Sequence, residues 1–137
     1  ANETLLDSSS APMLKGKVVY ARSCSALNGL GKEAAGLGCK AFIGYRGSFL
    51  IPRTNEYEST PLRDNTAKPV LEVSNSIGKH ILNGASAGEA VDSAKRMSAD
   101  LILKLLSSQE PYDAATLRAL YQNMSVLSLE GNKDARA

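Results

Sequence analysis

At 137 residues the chain is long enough for one compact domain with a real core and too short for two. Its 43% hydrophobic and 22% charged residues are ordinary globular composition, so disorder is not the default, and sixteen basic against fourteen acidic side chains leave a net charge of +2 without a basic, aromatic-interleaved stripe for nucleic acid. No apolar run approaches the roughly 20 residues that span a bilayer, and the start A-N-E-T-L-L-D-S-S-S has neither the charged nor the apolar region of a signal peptide, so a soluble protein with no membrane or nucleic-acid partner is expected.

In chain order, Lys17 to Ala21 is a β-branched and aromatic run that predicts a short buried strand. It lies within the segment K-G-K-V-V-Y-A-R-S-C-S-A-L-N-G-L-G, from Lys15 to Gly31, where the strand delivers Cys24 to a turn that opens a helix. A thiol at the C-terminal end of a buried strand is where α/β folds place nucleophiles. A neighbouring helix N-terminus favours thiolate over thiol and lowers the pKa from about 8.5. Leu30 to Leu37 reads as a short helix ended by Gly38, and Cys39 to Tyr45 as a second buried strand. Strand, helix, strand in that order predicts a parallel, right-handed crossover and an α/β fold.

Arg46 to Asp64 is irregular, polar and broken by Pro52 and Pro61, a loop long enough to suggest function. Val70, Val73, Ile77 and Ile81 then repeat at helical spacing up to the stop at Asn83 and Gly84. Ser86 and Glu89 form a capping box for a helix with Ala90, Ala94, Met97, Leu101 and Leu105 along its core stripe. A shorter helix is expected near Asp113 to Gln122. Met124 to Leu129 alternates apolar and polar and predicts a closing strand before a turn at Gly131 and Asn132, with the tail N-K-D-A-R-A loose. No internal repeat is present.

The segments V-V-Y-A-R-S-C-S-A, A-A-G-L-G-C-K-A-F-I-G-Y and H-I-L-N-G-A-S-A-G-E-A-V-D-S-A, in that order and spacing, resemble the C-terminal half of a caspase-like CHAT-domain cysteine peptidase. The resemblance runs from about Gly16 to Lys104 and more weakly through S-L-E-G-N-K-D-A. It implies a three-layer α/β/α fold with a mostly parallel sheet, of which this chain supplies the C-terminal part as one unit over residues 1–137. It also implies a cysteine endopeptidase acting on protein substrates, with Cys24 as nucleophile and no cofactor or metal. The family's general base is a His in a His-Gly motif at the end of the preceding strand. No histidine precedes Cys24, and the chain's one histidine, His80, receives no catalytic role from the resemblance.

The chain is therefore expected to be a fragment, or one subunit, completed by a second polypeptide segment that carries the His. Without that segment an unpaired sheet edge would drive association. Arg22 and Ser23 flank the nucleophile, and alternation lets one of them face substrate; Ser23 is the candidate. Asp64 resembles the acidic residue that selects a basic side chain before the cut, although Asp64 before N-T-A-K also reads as a helix N-cap. Arg46, just after the second strand, would support the opposite, acidic preference.

Other motifs carry less. A-L-N-G-L-G-K-E has Ala26 where a phosphate loop needs its first Gly and Glu33 where it needs Ser or Thr, so its glycines are expected to serve a tight turn. Two cysteines without C-x-x-C or metal-site spacing fit a reducing, cytoplasmic compartment, and Cys39 reads as a small buried hydrophobe. The charges Asp92, Lys95, Arg96 and Asp100 read as a solvated helix face. A noncatalytic interaction module with the same fold is the alternative function. An amidotransferase-type hydrolase is a weaker one, since R-S-C-S-A lacks the glycines of a nucleophile elbow.

Overall fold

The computed structural model describes residues 8–23, 25–52, 67–108 and 114–137. A 3-10 segment, Ser8–Leu14, precedes strand β1 (Val18–Tyr20). A π-helical turn, Leu27–Gly31, runs directly into helix α1 (Lys32–Gly36), and strand β2 (Ala41–Tyr45) follows. Helices α2 (Lys68–Leu82), α3 (Ala87–Ser107) and α4 (Ala114–Val126) then lead to strand β3 (Leu127–Gly131).

The strands form a mixed sheet in the order β1-β2-β3. β1 pairs parallel to β2 with Val18 opposite Ala41 and Tyr20 opposite Ile43, as the strand–helix–strand order predicts. β3 pairs antiparallel to the far side of β2, from Leu127 opposite Tyr45 to Gly131 opposite Ala41. Among the described residues β2 is β1's one strand partner, so the outer edge of β1 has no strand beside it.

Alternation along the strands sends side chains into two separate cores. On one face Ala41, Ile43 and Tyr45 meet Val70, Val73 and Ile77 of α2, Ala90 and Ala94 of α3, and Ala119 and Leu120 of α4. On the other, Phe42 packs with Leu27, Ala34, Cys39, Leu14 and Ala11. Helices therefore cover both faces, and every residue of β2 is buried. A two-sided strand of this kind reads as a continuous apolar run, which is why A-F-I-G-Y shows no alternation.

Helix ends follow the expected chemistry in most places. Gly38, at φ +98°, terminates the helical run after α1. Ser86 caps α3 by accepting from the Glu89 N–H at 3.2 Å, but the Glu89 carboxylate pairs with Arg136 at 3.0 Å instead of closing the box. α2 starts at Lys68 with Ala67 at its cap position and no side-chain cap. Asp64, for which a helix N-cap was the competing expectation, lies outside the described residues.

Two sequence expectations need correction at the C-terminus. The closing strand begins at Leu127, not Met124, because α4 continues through Val126. Asn123 holds that last turn in place: its amide donates to and accepts from the Leu50 main chain, both at 2.8 Å. The tail is tied down as well. The first N–H groups of α3, from Ala87 and Gly88, donate to the carbonyls of Ala135 and Lys133 at 2.8 and 2.7 Å, and Arg136 donates to the Gly84 carbonyl. The chain end thus satisfies the unpaired donors at a helix N-terminus.

Candidate functional site

β1 ends against β2 with the Ala21 N–H donating to the Ile43 carbonyl at 3.0 Å. Alternation then turns Arg22 to the α2 side, together with Tyr20, and its guanidinium donates to Asn75 Oδ1 at 3.2 Å and to Ser74 Oγ at 3.5 Å. Ser23 follows and is exposed. Of the two residues before Cys24, Ser23 is thus the one whose side chain is not tied to a helix among the described residues. Cys24 lies outside the described residues, as does Asp64.

Ser25 resumes the described chain with φ at 58°, the one non-glycine residue in the left-handed region among those described. The expectation that glycines make this tight turn is corrected here, since Gly29 and Gly31 do not adopt positive φ. Gly31 serves packing instead: a Cβ there would stand 3.0 Å from both Leu27 and Phe42 side chains. The Ser25 N–H donates to the Gly47 carbonyl at 3.0 Å, and the Asn28 Nδ2 donates to the Arg46 carbonyl at 2.6 Å. The turn after Cys24 is therefore fastened to the exit of β2.

Arg46 is engaged on its own side of the sheet. Its guanidinium meets Glu130 of β3 at 3.0 Å and donates to Asn28 Oδ1 at 3.4 Å. Arg22, in contrast, has only neutral partners among the described residues. His80 lies apart from this edge. It sits six residues beyond Ser74 on α2, about 9 Å along the axis, in the direction of Gly84 and the C-terminal tail. Its Nδ1–H donates to the Ser76 carbonyl at 2.7 Å, and its ring faces a groove with Ser93, Arg96 and Met97 of α3.

Beneath Arg22 the structure assembles a group that sequence reading missed. The hydroxyl of Tyr20 lies 2.8 Å from that of Tyr45 and 2.5 Å from Ser74 Oγ, so a chain of hydroxyls joins β2, β1 and α2. The Tyr45 ring also packs against Phe49 at 4.7 Å. Helical spacing flags Ser74 only as a neighbour of Val70 and Ile77, and Tyr45 and Ser74 stand 25 and 54 residues from Tyr20 in sequence, so no local pattern reveals the group.

Burial, reinforced by the adjacent Tyr20 hydroxyl, pushes the Tyr45 pKa far above its ordinary value. An unfolded tyrosine ionises near pH 10 while folded Tyr45 keeps its proton, so this group's contribution is full below pH 10 and is lost as pH rises above it. Urea unfolding followed from pH 8 to 11 should show stability falling by up to about 1.4 kcal/mol per pH unit above 10 from this group. Tyr45→Phe should flatten that fall; an unchanged slope would remove Tyr45 as its source.

Cys39 is buried and its thiol donates to the Lys17 carbonyl at 3.2 Å and the Ala41 carbonyl at 3.4 Å. Burial pushes its pKa up, the opposite of what a nucleophile needs, in keeping with the small-hydrophobe reading. Among the described residues no group of His, Cys, Asp or Glu could hold a metal ion. Among them also, no helix is long and apolar enough to cross a membrane. No family model, curated protein or solved structure matches the chain.

Proposed function

We propose that this chain is the nucleophile-bearing part of a caspase-like cysteine endopeptidase, a three-layer α/β/α domain acting on protein substrates in the cytoplasm. The observation that carries the reading is the topology around residue 24. β1 ends shortly before Cys24 in sequence, a helical segment crosses to a parallel second strand, and after further helices an antiparallel strand pairs with the far side of β2. The order strand, helix, parallel strand is the one the resemblance implies, while the antiparallel β3 makes the described sheet mixed where a mostly parallel one was expected. Among the described residues no strand lies against the outer edge of β1, which leaves room there for a strand bearing the His.

In this reading a His on a second polypeptide segment takes the proton of Cys24, or holds its thiolate as an ion pair. The sulfur attacks the scissile carbonyl, the His returns the proton to the leaving amine, and water hydrolyses the thioester. The Cys24 N–H, with that of a Gly beside the His, supplies the oxyanion hole, where losing one donor typically costs roughly a hundredfold to a thousandfold in rate. Ser23, exposed beside the nucleophile, is assigned to substrate contact. A basic preference before the cut rests on Asp64; the acidic preference would need Arg46, whose charge already meets Glu130.

The position of His80, about one and a half turns along α2 from the Arg22 level, favours one other reading, a noncatalytic module of the same fold. A peptidyl acyloxymethyl ketone with Lys or Arg at its terminal position decides between them. The full-length protein should acquire one adduct at Cys24, and Cys24→Ala should abolish it. An inert Cys24 in an intact, folded full-length chain would sink the peptidase reading.

A further inference from the structure

Three hydrogen bonds fix the turn after Cys24 to the exit of β2, and two of them use the side chain of Asn28. Its Nδ2 donates to the Arg46 carbonyl at 2.6 Å, and its Oδ1 accepts from the Arg46 guanidinium at 3.4 Å. The third runs from the Ser25 N–H to the Gly47 carbonyl at 3.0 Å. Arg46 is in turn held at 3.0 Å by Glu130, so the brace reaches across to β3. Asn28 itself is exposed and contributes to neither core, which separates its bonding from packing.

The brace stands where the backbone is least relaxed. Ser25 occupies the left-handed region at φ 58°, a conformation a serine holds only when its surroundings over-determine it. The helical turn that begins at Leu27 has no side-chain cap of its own. Without Asn28, one main-chain bond to Gly47 would hold the segment between Ser25 and Leu27 on the β2 side.

We propose that Asn28 is a positioning residue for the Cys24 nucleophile, and that Arg46 serves this brace instead of reading the substrate's charge. The inference rests on the peptidase reading and adds to it a residue that acts through another. A carbonyl must meet the sulfur within a narrow range of distance and angle, and small misplacements lower the rate of the bond-forming step. Loss of the brace therefore slows the directed reaction while leaving ligand capture and the thiol's general reactivity in place.

The test compares two thiol reagents on the full-length protein: iodoacetamide, which needs no alignment, and the peptidyl acyloxymethyl ketone. Asn28→Ala should lower the maximal rate of inactivation by the ketone tenfold or more. Its half-saturating concentration and the iodoacetamide rate should stay within about twofold of the parent. Asn28→Asp keeps the size and the acceptor for Arg46 but loses the donor to the carbonyl, and it should lose as much as Asn28→Ala. Arg46→Met leaves that carbonyl in place but loses the guanidinium bond to Asn28 Oδ1, so it should lower the maximal rate of inactivation by about threefold, less than Asn28→Ala does, and keep the half-saturating concentration within about twofold of the parent. A tenfold weaker half-saturation for an acidic ketone in Arg46→Met, with Asn28→Ala unaffected, would overturn the inference and return Arg46 to substrate recognition. An equal loss towards both reagents, together with a lower melting temperature in both Asn28 variants, would overturn it in favour of a purely structural role. A parent protein that reacts with iodoacetamide at Cys24 but with no peptidyl ketone would show instead that the peptidase reading has failed, and the inference with it.

Discussion

Truncation of Phe42 to alanine should cost about 3–5 kcal/mol of stability, the range for a large aromatic removed from a closed core. Phe42 is fully buried and is the largest side chain of the smaller core, where it touches Leu27 and stands against Gly31. That core holds few residues, so little can collapse into the space. Natural domains of this kind are stable by roughly 5–15 kcal/mol, and the loss would bring the variant close to its unfolding midpoint. Ile43 is also fully buried, one residue on, and faces the opposite, larger core. Ile43→Val should cost only about 0.5–1.5 kcal/mol, so the pair separates truncation from disturbance of β2 itself. Urea unfolding of both variants provides the check.

The Phe42 variant has a second expected consequence. Leu27, its neighbour, opens the helical turn that follows Cys24, and Gly31 closes it. Emptying the Phe42 site therefore loosens the floor under the turn before the domain unfolds. Phe42→Ala should slow labelling of Cys24 by a peptidyl ketone at temperatures well below its own melting point. Labelling at the parent rate, combined with the full stability loss, would show that the turn is held by its polar bonds to Arg46 and Gly47 alone.

Much of the architecture was legible because it rests on short-range patterns. The apolar runs that become β1 and β2, the stop at Gly38, and the Ser86 cap each depend on residues within a few positions of one another, and the helical segment between the two runs predicts their parallel pairing. Helices α2 and α3 announced themselves through stripes that become core: Val70, Val73 and Ile77, then Ala90 and Ala94. The errors came where distant partners decide. M-S-V-L-S-L reads as an alternating strand, yet the alternation breaks at the adjacent Val126 and Leu127, where α4 ends, and Asn123 bonded to Leu50 holds that last helical turn. The tail looked loose because its partners, Ala87, Gly88, Glu89 and Gly84, stand about fifty residues earlier, as the separation of 52 between Arg136 and Gly84 illustrates. At the candidate site, the sequence marked Arg46 by its charge but gave no sign of Glu130, 84 residues away, which its guanidinium meets. Asn28 carried no signal, since an asparagine beside glycines reads as turn chemistry.

Gly131→Ala should destabilise the protein by about 2–4 kcal/mol, more than its place at the end of a strand suggests. Gly131 has φ +97°, which an L side chain rarely adopts, and a Cβ there would lie 2.6 Å from the Lys40 carbonyl oxygen and 3.1 Å from Ala41 Cα. Both are backbone atoms of the strand entry, so neither can swing aside. That carbonyl also accepts from the Asn132 N–H at 2.7 Å, the bond from which the tail turns back towards α3. Displacing it pulls Lys133 and Ala135 from the N–H groups of Gly88 and Ala87, and a helix N-terminus loses its partners. Gly84 supplies the control. Its φ is +93°, almost the same, but a Cβ there meets nothing within 4 Å. Gly84→Ala should therefore show the conformational cost alone, about 1 kcal/mol. The difference between the two melting curves measures the steric term, and hydrogen exchange at Ala87 and Gly88 should accelerate only in the Gly131 variant. Equal losses in the two variants would mean that the sheet end yields to the added methyl and that the tail is not coupled to α3 through Lys40.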